Sequence, residues 1–244
     1  MAVTPVDLLA IGPHPDDIEI GMGGTIARHV AHHLSVGLCD LTRGEMGSNG
    51  SPEERVGEGD AACAVLGAAW RVNLGLPDRQ LRDVPDQVRP IVELIRACRP
   101  AAIALPHWDD RHPDHQAAAA LIATAVFNSG LRRYVAEGEA WKADWTVYYF
   151  INGWAEPSFV VDVSEYYDTK RRALACHTSQ FTPGAADRTE TRLTSPMFNQ
   201  LIESRDAQFG ARAGVRWAEG FVVREPVVRR SLLKRPRAGG ARAL

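Results

Sequence analysis

The sequence predicts an α/β protein with a mostly parallel sheet and flanking helices, and three observations carry that expectation. Short apolar runs recur along the chain, each closed by Gly, Pro or Asp, and longer helix-patterned segments separate them. A chain of 244 residues with 45% hydrophobic and 24% charged residues has the size and proportions of a soluble globular protein with a sizeable core. Strands alternating with helices build right-handed βαβ units, and those build parallel sheets.

In chain order, residues 6–12 (VDLLAIG) read as a buried strand that ends at Gly-Pro. Residues 24–32 have helical character, with Ile26 and Val30 four apart. Residues 35–42 are the second strand, followed by a polar, Gly-rich loop at 43–51. Pro52 followed by Glu53 and Glu54 opens a helix that runs to about residue 66. A third strand at 70–74, a helix at 86–97 that stops near Pro100, and a fourth strand at 101–105 follow. Pro113 opens an alanine-rich helix to about residue 127. Beyond it the pattern is less regular: strands at 147–151, 159–163 and 215–222, and helices at 166–175 and 197–209. With no repeat and no interdomain linker, one domain is expected over 1–226.

Composition narrows the function. Six of the 28 Lys/Arg fall in 227–244 with no acid among them, so 1–226 holds 22 Lys/Arg against 30 Asp/Glu. An acidic body argues against a nucleic-acid-binding core, and the basic end is expected to be a loosely ordered tail. No apolar run approaches the ~20 residues of a membrane span, and residues 1–8 lack a signal-peptide pattern, so a cytoplasmic protein is expected. Cys39, Cys63, Cys98 and Cys176 are far apart and form no C-x-x-C pair, which suits buried small residues rather than disulfides or a thiolate site.

Open α/β sheets bind ligands at the carboxyl ends of their strands. Two strand ends here carry unusual residues: His14-Pro15-Asp16-Asp17-Ile18-Glu19 after the first, and His107-Trp108-Asp109-Asp110-Arg111-His112-Pro113-Asp114-His115 after the fourth. Either cluster alone also suits helix capping or a turn. Together they place four of eight histidines beside carboxylates at corresponding ends of one sheet. One His and one Asp from the first loop and one His from the second would hold a divalent ion such as zinc and leave a position open. A leftover carboxylate then suits a general base, and a spare histidine an oxyanion donor.

These two segments, with Gly21-Met22-Gly23-Gly24-Thr25, resemble the LmbE/PIG-L family of zinc-dependent N-acetylglucosamine deacetylases. The resemblance runs from about residue 7 to 221 and includes Leu41-Thr42-Arg43-Gly44-Glu45, Asn73-Leu74-Gly75-Leu76-Pro77-Asp78 and Ser179-Gln180-Phe181. It implies a Rossmann-like sheet with its site at the C-terminal strand ends, and a homo-oligomer, trimer or hexamer. Residues 17–24 and 157–162 are most similar to the branch acting on N-acetylglucosaminyl-malate in bacillithiol synthesis; another N-acetylglucosamine conjugate or a chitooligosaccharide is the alternative substrate. The resemblance implies His14, Asp17 and His115 as zinc ligands, Asp16 as general base and acid, and His112 as oxyanion donor oriented by Asp114. It also implies Arg55 and Asp78 as substrate contacts. The late-loop tyrosine of some members is missing from Thr194-Ser195-Pro196-Met197-Phe198. A malate aglycone needs cationic partners, for which Arg43, Arg79 and Arg111 stand at strand ends. A site of two His and one Asp also accepts Fe(II).

Other features are read more plainly. His29, His32 and His33 suit an exposed helix end, His177 suits packing, and Tyr148, Tyr149, Phe150 and Trp154 suit strand faces. Gly21-x-Gly23-Gly24 and Asp40 could belong to a nicotinamide-binding module, but G-x-G-x-x-G is not met and Asp16 and Asp17 would face a pyrophosphate. A non-catalytic zinc protein would have no need of Asp16 and His112.

Overall fold

A computed structural model describes residues 3–182 and 188–228. The basic stretch expected to be a loose tail lies, from residue 229 onward, outside the described residues. The elements run β1 (Leu8–Gly12), α1 (Asp17–Ala31), β2 (Val36–Asp40), α2 (Pro52–Leu66), β3 (Trp70–Asn73), α3 (Pro85–Cys98) and β4 (Ala102–Pro106). They continue as α4 (Pro113–Ser129), β5 (Trp145–Tyr149), β6 (Phe159–Asp162), α5 (Tyr167–Cys176), α6 (Thr178–Phe181), α7 (Pro196–Ala213) and β7 (Ala218–Val222). The seven strands form one sheet in the order β3-β2-β1-β4-β5-β7-β6. The first five are parallel, while β7 runs antiparallel to both β5 and β6.

This order positions the site. The chain steps outward from β1 to β3, then crosses back to lay β4 on the other side of β1. The loops leaving β1 and β4 therefore diverge from adjacent strand ends, opening the crevice where α/β sheets bind ligands. Strand alternation sends Leu8 and Ala10 into a core shared with α1, α2 and α5. Leu9 and Ile11 face the other core, against α3 and α4.

The largest departure from the sequence expectation is α1, which begins at Asp17 rather than 24 and breaks at Met22 (φ −151°). The glycines that make this stretch look unhelical serve close packing. A Cβ at Gly21 would land on the Tyr149 ring, and one at Gly24 would lie 2.8 Å from Val163 Cβ. The break frees backbone donors, and the buried Glu219 carboxylate accepts from Gly24 N (3.0 Å) and Thr25 N (2.6 Å). Glu219 and Asp206 also flank the fully buried Lys170 ammonium, each at 2.7 Å. The nicotinamide reading fails here: these glycines face protein, and Asp40 is buried in a two-point ion pair with Arg71 at 2.7 Å.

Smaller differences lie at element ends. β5 closes at Tyr149, two residues before the expected limit, and α7 is longer at both ends than expected. The short α6 carries no apolar periodicity; Glu58 of α2 holds it by accepting from Thr178 Oγ1, Ser179 N and Ser179 Oγ. The four cysteines are free thiols, three of them buried. Among the described residues, no helix is long and apolar enough to cross a membrane.

Candidate metal and catalytic site

The β1 loop turns sharply. Asp16 sits at φ 123°, a conformation that costs a non-glycine residue energy and is held only by its surroundings. That turn sends His14, Asp16 and Asp17 into a cavity of about 440 Å³, which His112 and His115 enter from the β4 side. Asp17 Oδ2 lies 3.0 Å from His14 Nδ1 and 3.3 Å from His115 Nε2. All three groups are buried, and their donor atoms lie within 4.8 Å of one another.

The outward faces of both rings meet carboxylates. His115 Nδ1 donates to Asp110 Oδ1 (3.1 Å), and His14 Nε2 donates to Asp78 Oδ1 (3.1 Å), with Asp114 Oδ2 at 3.4 Å. Carboxylates behind the imidazoles fix the tautomers and turn the other nitrogens, His14 Nδ1 and His115 Nε2, toward Asp17. Two neutral imidazole nitrogens and a carboxylate suit a borderline divalent cation, so the residues present fit a metal. A second set, His14, His112 and Asp114, is also close enough to hold an ion. It draws on the His14 nitrogen already committed to Asp78, and His112 is only half-buried.

The electrostatics separate the groups. Burial, and the neighbouring Asp17 charge, lift Asp16 to about 6 against the pull of Arg55. Burial, with the charges of His115 and His14, lowers His112 to about 4. Against burial, which would lower it, the charges of Asp17 and Asp110 raise His115 to about 9. His112 Nδ1 accepts the backbone N–H of Asp114 (3.2 Å), which leaves the proton of the neutral ring on Nε2.

Asp114, Asp78 and Arg55 line or border this cavity, each engaged by partners within the protein. Asp114 meets His112 through its backbone, while its carboxylate accepts from Arg79 N (2.8 Å) and faces His14. Asp78 has both oxygens engaged, one on His14 and the other on Met46 N (2.9 Å). Arg55 is buried, donating to Pro15 O and Gly44 O at 3.0 Å and reaching Asp16 Oδ2 at 3.4 Å. Arg79 and Arg111 line the cavity; Arg43 is exposed and does not. His32 and His33 are exposed, and His29 bonds Thr25 O. His177 is buried with neither ring nitrogen hydrogen-bonded. Tyr148, Tyr149 and Phe150 are core residues, and no tyrosine lines the cavity among the described residues.

Sequence reasoning misses Asp110, Asn152, Gln180 and Arg192. Asp110 is visible in the second cluster, but its place shortly before Pro113 suits a turn residue equally well. Its carboxylate takes His115 Nδ1, His112 N and both nitrogens of Asn152. Nothing local in the sequence marks Asn152 or Arg192, which reach the cavity only through the fold; Gln180 stands in the Ser179-Gln180-Phe181 match, which by itself gives it no role.

Comparison with known proteins places this geometry. The family model described as PIG-L, GlcNAc-PI de-N-acetylase, matches residues 9–126, the segment holding every expected site residue. The crystal structure of the conserved protein TT1542 from Thermus thermophilus is 41% identical. It superposes with a TM-score of 0.84 over 92% of this chain and 97% of its own. A diacetylchitobiose deacetylase of Thermococcus kodakarensis is 28% identical over 88% of this chain and 81% of that protein. A 1D-myo-inositol 2-acetamido-2-deoxy-alpha-D-glucopyranoside deacetylase of Rhodococcus opacus is 28% identical over 87% and 94%.

Proposed function

The chain belongs to the PIG-L (LmbE) family, and from that premise we propose that it is a metal-dependent N-deacetylase releasing acetate and a free amine from an N-acetylglucosamine conjugate. The observation that carries this reading is the convergence of His14, Asp17 and His115 in one cavity with two groups a mere metal site does not need, Asp16 and His112. The relatives named for diacetylchitobiose and for an inositol glycoside support a sugar acetamide as the bond cleaved.

His14, Asp17 and His115 would hold the ion, which we take to be zinc, with Fe(II) the other candidate. When bound, a divalent ion supplies Lewis acidity that makes water nucleophilic near neutral pH and draws charge from the amide carbonyl. The protein's own groups do the rest. Asp16, buried and lifted to about 6, is ionised at neutral pH and accepts a proton from the attacking water. As the water oxygen bonds the carbonyl carbon, negative charge grows on the carbonyl oxygen. The neutral His112 donates its Nε2–H there. The C–N bond then breaks, and Asp16 returns its proton to the leaving nitrogen. Arg55 keeps the Asp16 carboxylate in place, and Asp114 fixes His112 through its backbone N–H.

Within this class, our finer reading is the malate conjugate of the bacillithiol route, handled by a cytoplasmic homo-oligomer; a chitooligosaccharide is the second substrate. The test is amine release from N-acetylglucosaminyl-malate, diacetylchitobiose and N-acetylglucosamine by zinc-loaded protein, with Asp16→Asn as control. Preference for the malate conjugate, lost in the control, supports both levels. Preference for chitobiose removes the malate level alone, and inertness toward all three with metal bound removes the N-deacetylase reading.

A further inference from the structure

The polar groups lining the cavity divide into those committed within the protein and those with an atom to spare. Asp16, Asp17, Asp78 and Arg55 are committed, each tied to a neighbour. Gln180, on the short α6, has an atom to spare. Its Nε2 donates to Asn49 O (2.8 Å) and to Ser179 Oγ (2.9 Å), which uses both amide hydrogens. Its Oε1 has no hydrogen-bond partner among the described residues and is not sealed from solvent.

That amide cannot turn over. Asn49 O is a backbone carbonyl, which only accepts. Ser179 Oγ gives its proton to Glu58 Oε2, 2.6 Å away, so toward Gln180 it also only accepts. Glu58 is fixed in turn by Thr178 Oγ1 and Ser179 N. A flipped amide would set Oε1 against two oxygens with no hydrogen between them. Asn49 is held as firmly: its Nδ2 donates to Thr189 O and its Oδ1 accepts from Thr189 N, both at 2.8 Å. Glu58, Ser179, Gln180 and Asn49 are all buried, and together they hold one bare carbonyl oxygen at the cavity wall.

An oxygen held in this way recognises a hydrogen-bond donor. With the acetamide at the metal set and Asp16, the donors left on an N-acetylglucosamine unit are its hydroxyls. We infer that Gln180 Oε1 accepts a hydrogen bond from one hydroxyl of the sugar. Gln180 is then a specificity-determining residue for the sugar itself rather than for what is attached to it. This rests on the N-deacetylase reading and adds to it.

The test uses the zinc-loaded full chain with the methyl glycoside of N-acetylglucosamine and its analogues lacking the hydroxyl at carbon 3, 4 or 6. In wild type, kcat/KM is expected to fall about 10–100-fold for one analogue, the cost of leaving a shielded acceptor unmet. Gln180→Met and the smaller Gln180→Ala are expected to lose a comparable factor on the parent sugar. In both, the penalty at that one position is expected to shrink below about threefold, while the other two positions keep their wild-type ratios. Calorimetric titration with the same sugars in an Asp16→Asn background, where turnover is slow, is expected to give the same pattern in affinity. A wild type indifferent to all three hydroxyls would overturn the assignment, whether or not the variants fold. Variants that weaken every sugar alike, with the ratios unmoved, would show a purely structural Gln180 and overturn it too. Gln180-dependent selectivity in binding, with no amine released from any sugar, would support the acceptor and remove the deacetylase reading.

Discussion

Asp110 Oδ1 accepts a hydrogen bond from His115 Nδ1 at 3.1 Å, and the same carboxylate also takes His112 N and both nitrogens of Asn152. One buried acid thus orients a metal-set histidine, the start of α4 and the chain leaving β5. Removing it loosens three elements at once, and the first property to suffer is the aim of His115 Nε2 at Asp17.

Asp110→Ala is therefore expected to weaken divalent-metal affinity about 10–100-fold, the usual cost of losing a carboxylate behind a ligating histidine. Competition with a chromophoric chelator measures it. Unaltered affinity would show that stacking of His115 on His112, with centroids 4.6 Å apart, suffices to hold the ring.

Asp16→Asn is expected to keep the metal and lose about 10²–10⁴-fold in kcat, the range of a general-base contribution. In wild type, the base must be ionised, so kcat/KM is expected to rise with pH and level off above the Asp16 value of about 6. A pH profile of both proteins checks this: the acidic limb belongs to Asp16 only if it is absent from the residual activity of the variant.

Lys170 lies between Asp206 and Glu219 with no exposure to water. Lys170→Met leaves the buried Glu219, which caps the second half of α1, without its cation, and leaves Asp206 with Arg205 as its cation (Nε to Oδ1, 3.1 Å). A loss of about 3–5 kcal/mol is expected from urea unfolding. A loss under about 1 kcal/mol would mean the remaining donors, Tyr167 Oη and Arg205 Nε on Asp206 and the α1 amides on Glu219, carry those charges by themselves.

Gly21 packs its α-carbon against the Tyr149 ring, whose hydroxyl donates to Ile11 O (2.9 Å) in β1. Gly21→Ala is expected to cost about 1–3 kcal/mol by overpacking, despite alanine's better helix propensity. The same thermal melt on Gly57→Ala, where no atom lies within 4 Å of the added Cβ, supplies the control and is expected to be neutral or stabilising.

Much of this molecule is legible in the chain itself. The apolar runs at β1 to β4 and the Pro-led starts of α2 and α4 are local signals, set by burial on both faces of a parallel strand and by proline's fit to a helix's first turn. The two acidic-histidine segments stand out for the same reason: each follows its own strand directly, so their place at the strand ends follows from sequence order.

What only the tertiary structure decided is which groups face one another. No local pattern states that β4 returns to lie beside β1, yet that adjacency brings His115 to Asp17 and sends Asp78 to His14 rather than leaving its carboxylate free. The glycines of α1 mislead the helix boundary because their small size answers Tyr149 and Val163, residues far away in the chain, and the donors freed at Met22 are met by Glu219 on the last strand. The make-up of the cavity wall is likewise a property of assembly: Arg111 and Arg192 are far apart in the chain and line one cavity only in the fold. Sequence alone determined the kinds of chemistry this chain carries, because residue type sets donor, charge and acidity. The fold decided their roles, because orientation and pKa depend on neighbours contributed by distant parts of the chain.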